Sequence, residues 1–384
     1  LSSRKLLLAA FPAICIAASA ADPLTVFFID PTFADYSGDA MLVCTPDGGH
    51  YLIDGGDAGQ DPAWDCGTSR ILPLLDSLGV TRLDGIVATH PHSDHVGGLV
   101  SVVEALPVDV VWDSGWPYAP TPAYAAFLQA VEQAGIQVVV PRRGDTLDWG
   151  PAVDVEVLHP VAPLDPGNMN NASIVLRMTW HSVTFLFTGD IETEGGENLI
   201  IQAHEQGLIP SLSADVLKVA HHGSSTSTGA GWLDAVDPAW ATIEVGAGNP
   251  YGHPHAEVIA RLLARGIDIF RTDLDGTFYI STDGYGLYYN SLPPSGGGSA
   301  SGLVAYPSPC AGPVTFSWPP DEQASALRVY NLMGELVFEE SPAAPPIHWD
   351  LSLEGGSLAA PGLYSAVLEL RGGGECTECF AISR

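Results

Sequence analysis

The hexapeptide His90-Pro91-His92-Ser93-Asp94-His95 places three imidazoles and a carboxylate within six residues. No single helix face or strand face presents all four, so the segment reads as a tight loop closing the apolar run 83–89, where side chains converge on one point. Imidazole and carboxylate at that density suit zinc, manganese or iron, and the lack of cysteine among them argues against a closed structural zinc site. An open, hydrolytic metal site is the reading that follows.

Three later segments supply more of the same chemistry. Residues 183–190 read as a buried strand ending in Asp190, and 215–220 as another ending in His221 and His222; His253 and His255 lie in a Gly/Pro-rich stretch. Each polar cluster follows an apolar run, and loops at the carboxyl ends of strands are where a ligand is gathered. Taken alone, Asp190 is as well explained as a turn or capping residue. Its meaning comes from its company.

In order along the chain, Leu52-Ile53-Asp54-Gly55-Gly56, the histidine-rich loop, Thr188-Gly189-Asp190, the run 217–224 and the run 249–254 resemble the metallo-β-lactamase superfamily. The last two segments resemble the soluble hydrolase domain of ComEC-type competence proteins and its free-standing secreted relatives. The resemblance covers about 24–292 and implies an α/β fold, an αββα sandwich of two sheets flanked by helices. Two departures stand out. Asn168-Met169-Asn170-Asn171 occupies the region where the superfamily commonly has a further histidine, and 30–39 replaces a compact turn, which is expected to reshape the pocket rim. Asparagine is the weaker ligand, so one metal position is expected to be loosely filled or to prefer a harder ion.

Two divalent ions, zinc or manganese, are therefore expected. His90, His92 and Asp190 would hold one, with Asn170 or Asn171 as a weak metal or substrate contact; Asp94, His95, Asp190 and His221 would hold the other. Asp94 also belongs to the catalytic group with His222 and His253, which would contact substrate or protonate the leaving group, while Asp54 would orient a ligand histidine. Metal binding brings the pKa of water to about 7, so the expected reaction is hydrolysis by a metal-bound hydroxide, with a phosphodiester as substrate. Another ester, a lactone, a β-lactam or a choline phosphate ester would use the same loop, the rim deciding among them. A non-catalytic surface-binding protein is the third reading.

The elements that must position these groups alternate along 24–292. Helices are expected over 69–77, 96–105, 122–134, 192–205 and 256–264, with apolar strands between them. Lys218, in one of those strands, shares a face with His222 by alternation; it reads either as an anionic-substrate contact or as a structural ion pair.

Composition sets the surroundings. Fourteen lysines and arginines face 45 acidic residues, a formal charge of −31 over 384 residues. That field repels polyanions at long range, so a small-molecule or phosphodiester substrate is expected and nucleic acid is disfavoured. Arg4-Lys5, the apolar stretch 6–18 and Ala18-Ser19-Ala20 read as a signal peptide over 1–21. The stretch is short of the ~20 residues that span a bilayer, so no stable membrane span and a secreted or cell-surface protein are expected.

The hydrolase domain is assigned to 22–292, followed by a Gly/Ser linker over 293–302. A small all-β Ig-like sandwich is expected over 303–384. There Tyr306-Pro307-Ser308-Pro309, the run 329–334, Trp349-Asp350 and Pro361-Gly362-Leu363-Tyr364 resemble the C-terminal sorting domains of type IX secretion and the FlgD-like immunoglobulin fold. The resemblance implies the secretion machinery as a partner. Cys44, Cys66, Cys310, Cys376 and Cys379 follow the signal, and a Cys44–Cys66 bridge is expected in an oxidising compartment.

Overall fold

Strands that are apolar on both faces need cover on both sides, and this chain meets that need with two sheets packed face to face between helices. The computed structural model describes residues 23–32, 38–58, 65–291 and most of 304–382. The first strands are β1 Leu24–Phe28, β2 Met41–Cys44, β3 His50–Ile53, β4 Gly85–Ala88, β5 Val110–Asp113, β6 Gln137–Val139 and β7 Thr146–Leu147. They are followed by β8 Asp154–His159, β9 Val175–Trp180, β10 Val183–Phe187, β11 Val216–Lys218, β12 Trp240–Ile243, β13 Asp268–Arg271, β14 Phe278–Thr282 and β15 Leu287–Ser291. Helices are α1 Leu72–Ser77, α2 Ser93–Val96, α3 Leu99–Ala105, α4 Pro122–Ala134, α5 Asn198–Glu205, α6 Ala230–Val236, α7 Ala256–Leu263 and α8 Thr272–Asp275.

One sheet runs β15-β14-β1-β2-β3-β4-β5-β6 and the other β13-β12-β11-β10-β9-β8-β7. The layering follows from strand alternation. In β1, Val26 and Phe28 pack with Leu176, Phe185 and Phe187 of the other sheet, whereas Phe27 between them packs with Leu75, Val102 and Phe127 of α1, α3 and α4. On the far side Leu186 and Leu217 meet Ile200, Trp232 and Leu262 of α5, α6 and α7. The result is the expected helix–sheet–sheet–helix sandwich. Strands β3 to β6 are parallel, as are β10 to β13, so the carboxyl ends of each group open to one side.

Helix α4 forms as its sequence dictates. Thr121 Oγ1 accepts from the Tyr124 amide, Pro122 occupies the first turn, and Gly135 at φ 68° closes the end. The helix expected over 192–205 starts only at Asn198, because Glu194 is extended and Gly195 has φ 83°. Helix α6 escapes sequence patterning: it has seven residues and follows a run of serines, threonines and glycines that reads as loop.

The C-terminal strands are β16 Val304–Tyr306, β17 Val314–Ser317, β18 Ala324–Asn331, β19 Leu336–Glu340, β20 Ile347–Trp349, β21 Gly362–Leu370 and β22 Glu375–Ile382. They form sheets β16-β17-β20 and β19-β18-β21-β22. Phe316 and Trp349 of one sheet and Leu327, Val329 and Leu368 of the other share one buried cluster, which makes this region a small β-sandwich. The signal peptide expected over 1–21 and the linker expected over 293–302 lie outside the described residues. No described helix is long and apolar enough to cross a membrane.

The expected Cys44–Cys66 bridge is not formed: both are free thiols. Cys66 is fully buried against Gly56, where its side chain fills the space a Cβ would need. Burial raises both thiols, Cys44 to about 12.

Candidate metal centre

Strand ends place the chemistry. Thr89 to His95 leaves β4, Asp190 follows β10, His221 and His222 follow β11, Glu244 follows β12, and Asp54 follows β3. Asp39 precedes β2, which runs antiparallel to β3 with Met41 opposite Ile53, so Asp39 arrives at the same edge from the other chain direction. Gly38 makes the approach possible. A Cβ there would lie 2.0 Å from the Asp94 carbonyl oxygen, and the Asp39 amide donates to that oxygen at 3.1 Å.

Asp190 is the centre of the arrangement. Its Oδ2 lies 3.3 Å from His95 Nε2, 3.4 Å from His222 Nε2, and 4.0 Å from both His90 Nε2 and His221 Nε2. His222 Nε2 is also 3.4 Å from Asp94 Oδ2. His90, His95 and Asp190 form one set of donors within 4.8 Å of one another, and Asp94, His95 and His222 form a second. His92 joins through His90, its Nδ1 standing 3.0 Å from His90 Nε2, and it lines the open cleft.

Each inner imidazole is aimed by a bond to its other nitrogen. His95 Nδ1 donates to Asp54 Oδ2 at 2.7 Å, and Asp54 also accepts from the Thr89 amide and hydroxyl. His222 Nδ1 donates to the Glu244 carbonyl at 2.9 Å. His90 Nδ1 lies 3.3 Å from Ser173 Oγ, which accepts from the Asp190 amide and donates to Asn170 O. This is the support that fixes a ligand tautomer and leaves the opposite nitrogen for a cation.

Charge is dense and mostly buried. Burial alone would raise Asp190, yet the His222 and His95 imidazoles hold it well below the ordinary carboxylate range. Burial works against the charged form of His95 and His222 too, but Asp190, with Asp54 for one and Asp39 for the other, raises both well above an ordinary imidazole. Lys218 is fully buried and pairs with Asp39, its Nζ 3.9 Å from Asp190 Oδ1. Burial and the neighbouring Asp39 push Glu244 well above the ordinary carboxyl value, against the pull of Lys218 and the Ala40 amide. At the cleft, burial and Asp94 raise Asp57 to about 6, and burial with His222 and His221 lowers His253 to about 4.

The donor set fits a divalent cation. Among the described residues, His95 Nε2, His222 Nε2, Asp190 Oδ1 and Asp39 Oδ1 are buried without a hydrogen-bond partner, and three of those atoms belong to the converging groups. Such orphans are costly unless something binds them. A divalent cation would supply the positive charge that these carboxylates otherwise draw as protons onto His95 and His222, and would leave each Nε2 free as a neutral ligand.

The two adjacent histidines both face Asp190, at different depths. His222, expected on the substrate side, is 4% exposed with Nε2 3.4 Å from both Asp94 Oδ2 and Asp190 Oδ2; His221, expected on the metal, stands farther out with Nε2 4.0 Å from Asp190 Oδ2 and Nδ1 3.2 Å from Thr226 Oγ1 and 3.7 Å from Glu192 Oε1, at the edge of the cleft. Both residues are left-handed, with φ of 53° and 52°, so strand alternation no longer predicts which way they point. Asn171 is not free for metal or substrate, because its Oδ1 accepts from the Glu192 amide and its Nδ2 donates to Glu194 O. Asn170 gives its Nδ2 to Glu192 and keeps a buried Oδ1 without a partner. His253 stacks toward His222 and meets His221 edge-on, and Asn249 braces its backbone.

Sequence reasoning did not place Asp39 and Glu244 in the site. The available signal was a charged residue inside an apolar run, as in Thr242-Ile243-Glu244-Val245. Lys218 carried the same signal, and its ion-pair reading is the one the structure shows.

Comparison with known proteins agrees with this geometry. The profile described as the Metallo-beta-lactamase superfamily matches residues 34–239. The chain belongs to this superfamily. The superfamily is one of metal-dependent hydrolases, and the converging His/Asp donors are its expected equipment here. The chain is similar to ComE operon protein 3 of Bacillus subtilis (strain 168), 34% identical over 251 residues, 62% of this chain and 31% of that protein. It is also similar to Competence protein ComA of Neisseria gonorrhoeae, 34% identical over 207 residues, 54% of this chain and 26% of that protein. The chain thus spans about a third or less of the length of these curated relatives. A solved structure, a putative metal-dependent hydrolase from Parabacteroides distasonis ATCC 8503, matches with a TM-score of 0.37 at 16% identity, covering 65% of this chain and 93% of that one.

Proposed function

We propose that the protein is an exported metal-dependent phosphodiesterase holding two divalent ions, zinc or manganese. The observation that carries the reading is the convergence on Asp190 of His95 and His222, each aimed from behind and each with an unpartnered Nε2. His90, His92 and Asp190 would hold one ion; Asp94, His95, His222 and Asp190 would hold the other. Bound there, divalent ions make hydroxide available at neutral pH and draw charge from the substrate oxygens. The chain's own groups do the rest. Asp54 and the Glu244 carbonyl hold His95 and His222 in the tautomer that presents Nε2, and Lys218 balances Asp39 beneath them. His221, braced by Thr226 and Glu192, and His253 face the cleft as neutral imidazoles, where each can hydrogen-bond the substrate's phosphoryl or departing oxygen.

Phosphodiester chemistry is favoured over a lactone or β-lactam by the similarity to competence proteins and by a leaving-group side furnished with two imidazoles. Export rests on the charged, apolar start and on the likeness of the C-terminal β-sandwich to secretion-sorting domains, which would make the secretion machinery a partner. The test is a panel of phosphodiester, phosphomonoester, lactone and β-lactam substrates assayed with added zinc and manganese. Turnover of the diester above the others supports the proposal. A lactone or β-lactam preference reassigns the substrate.

A further inference from the structure

The cleft over the metal centre measures about 830 Å³, and among the described residues its only basic side chains are imidazoles. Its described lining includes the carboxylates of Asp57, Asp94 and Asp190 but no lysine or arginine. Cations elsewhere in the two-sheet domain are committed. Lys218 is sealed beneath the site by Asp39, and the eight arginines between residues 23 and 291 each engage a carboxylate or a backbone carbonyl. A polynucleotide needs several such cations along its flanking phosphates, and a chain with a formal charge of −31 repels it before contact.

What the cleft does offer is an aromatic wall. Tyr251, 70% exposed at the rim, stacks on His253 with centroids 5.7 Å apart and planes at 24°, and His253 stacks in turn toward His222 at 6.4 Å and 24°. Rings therefore lead from the metal centre to the surface. Pro122, Ala123 and Pro250 add apolar lining to the same cleft. An exposed ring continuous with a ligand imidazole is a stacking platform, and its natural complement is a planar, uncharged group.

We infer that the substrate is a small phosphodiester bearing a single negative charge, whose uncharged ring-containing flank stacks on Tyr251, and that a polynucleotide is a poor substrate. The inference rests on the phosphodiesterase reading for the chemistry, but the recognition of the flank can be tested without turnover.

The experiment compares kcat/KM of the metal-loaded full chain on bis(4-nitrophenyl) phosphate with that on a single-stranded oligonucleotide of about 20 nucleotides, per bond, at ~20 and ~200 mM salt. The aryl diester should be favoured by about tenfold or more at low salt, and the oligonucleotide rate should rise as salt screens the repulsion. Tyr251→Ala should raise KM for the aryl diester about tenfold, and Tyr251→Phe, which keeps the ring, should not. An oligonucleotide preference whose rate falls with salt overturns the inference. Binding of diphenylphosphinate, singly charged and without an ester bond, is measured alongside by calorimetry. If no diester is hydrolysed but this anion binds and weakens about tenfold in Tyr251→Ala, the phosphodiesterase reading fails and the stacking inference stands. Equal binding by wild type and Tyr251→Ala contradicts the inference.

Discussion

The loop after β4 and the loop after β11 both bring histidines to Asp190, but they were not equally legible. In the first, His90 to His95 turns directly into α2, and the ligands are set by composition and by a short helical turn. In the second, His221 and His222 are consecutive left-handed residues, so the backbone rather than the alternation of a strand decides which imidazole points inward. Density of donor residues identifies a metal loop. It does not identify the ligand when the backbone leaves the regular regions.

The two loops also rest on different supports, and perturbing those supports should separate them. The largest effect is expected beneath the second loop. Lys218→Met strips the buried Asp39 of its partner, and breaking a buried pair costs about 3–5 kcal/mol, so chelated protein should lose that much in denaturant unfolding. Lys218→Met combined with Asp39→Asn should recover part of it. If Lys218→Met unfolds like wild type, the pair does not support this loop.

A smaller effect is expected beneath the first loop. Asp54→Asn keeps an acceptor for the Thr89 amide but weakens the hold on His95 Nδ1, so metal affinity should fall about 10–100-fold. Competition with a chromogenic chelator measures it. Unchanged affinity would mean His95 needs no orienting partner.

The third perturbation lies outside both loops and must be separated before any acid effect is assigned to them. His159 is buried, donates from Nε2 to Asn171 O, and burial lowers it to about 4 from an ordinary 6.5. Its folded pKa lies below its unfolded value, so the unfolded chain binds the extra proton. The stability from keeping it neutral is present above 6.5 and is lost as pH falls from 6.5 toward 4. The loss should reach roughly 3 kcal/mol at most, by the pKa difference. His159→Gln, compared by chelated unfolding across that range, should flatten the acid limb; an unchanged limb places the acid sensitivity elsewhere.

Much of this was readable from sequence for a physical reason. The strands carrying the site are apolar runs bounded by Gly, Asp and His, so β10 falls where the pattern puts it, and α4 matches its expected range of 122–134. Asp39 was hidden because nothing local distinguishes a buried acid from a turn acid, and the one local sign for Glu244, an acid inside an apolar run, does not say what it meets. Their role comes from β2 pairing with β3, and from Glu244 accepting from the Ala40 amide across 204 residues. The Cys44–Cys66 bridge failed for a related reason: compartment chemistry permits a disulfide, but packing at Gly56 decides where Cys66 points.

Metal content of His222→Ala and His221→Ala, measured per chain after gel filtration in zinc-containing buffer, tests the central claim most directly. His222 is the buried donor facing Asp94 and Asp190, so His222→Ala should lose bound metal and hydrolysis together. His221→Ala should keep its metal and lose only turnover. If His221→Ala empties the site and His222→Ala leaves it filled, the assignment drawn from the left-handed turn is contradicted.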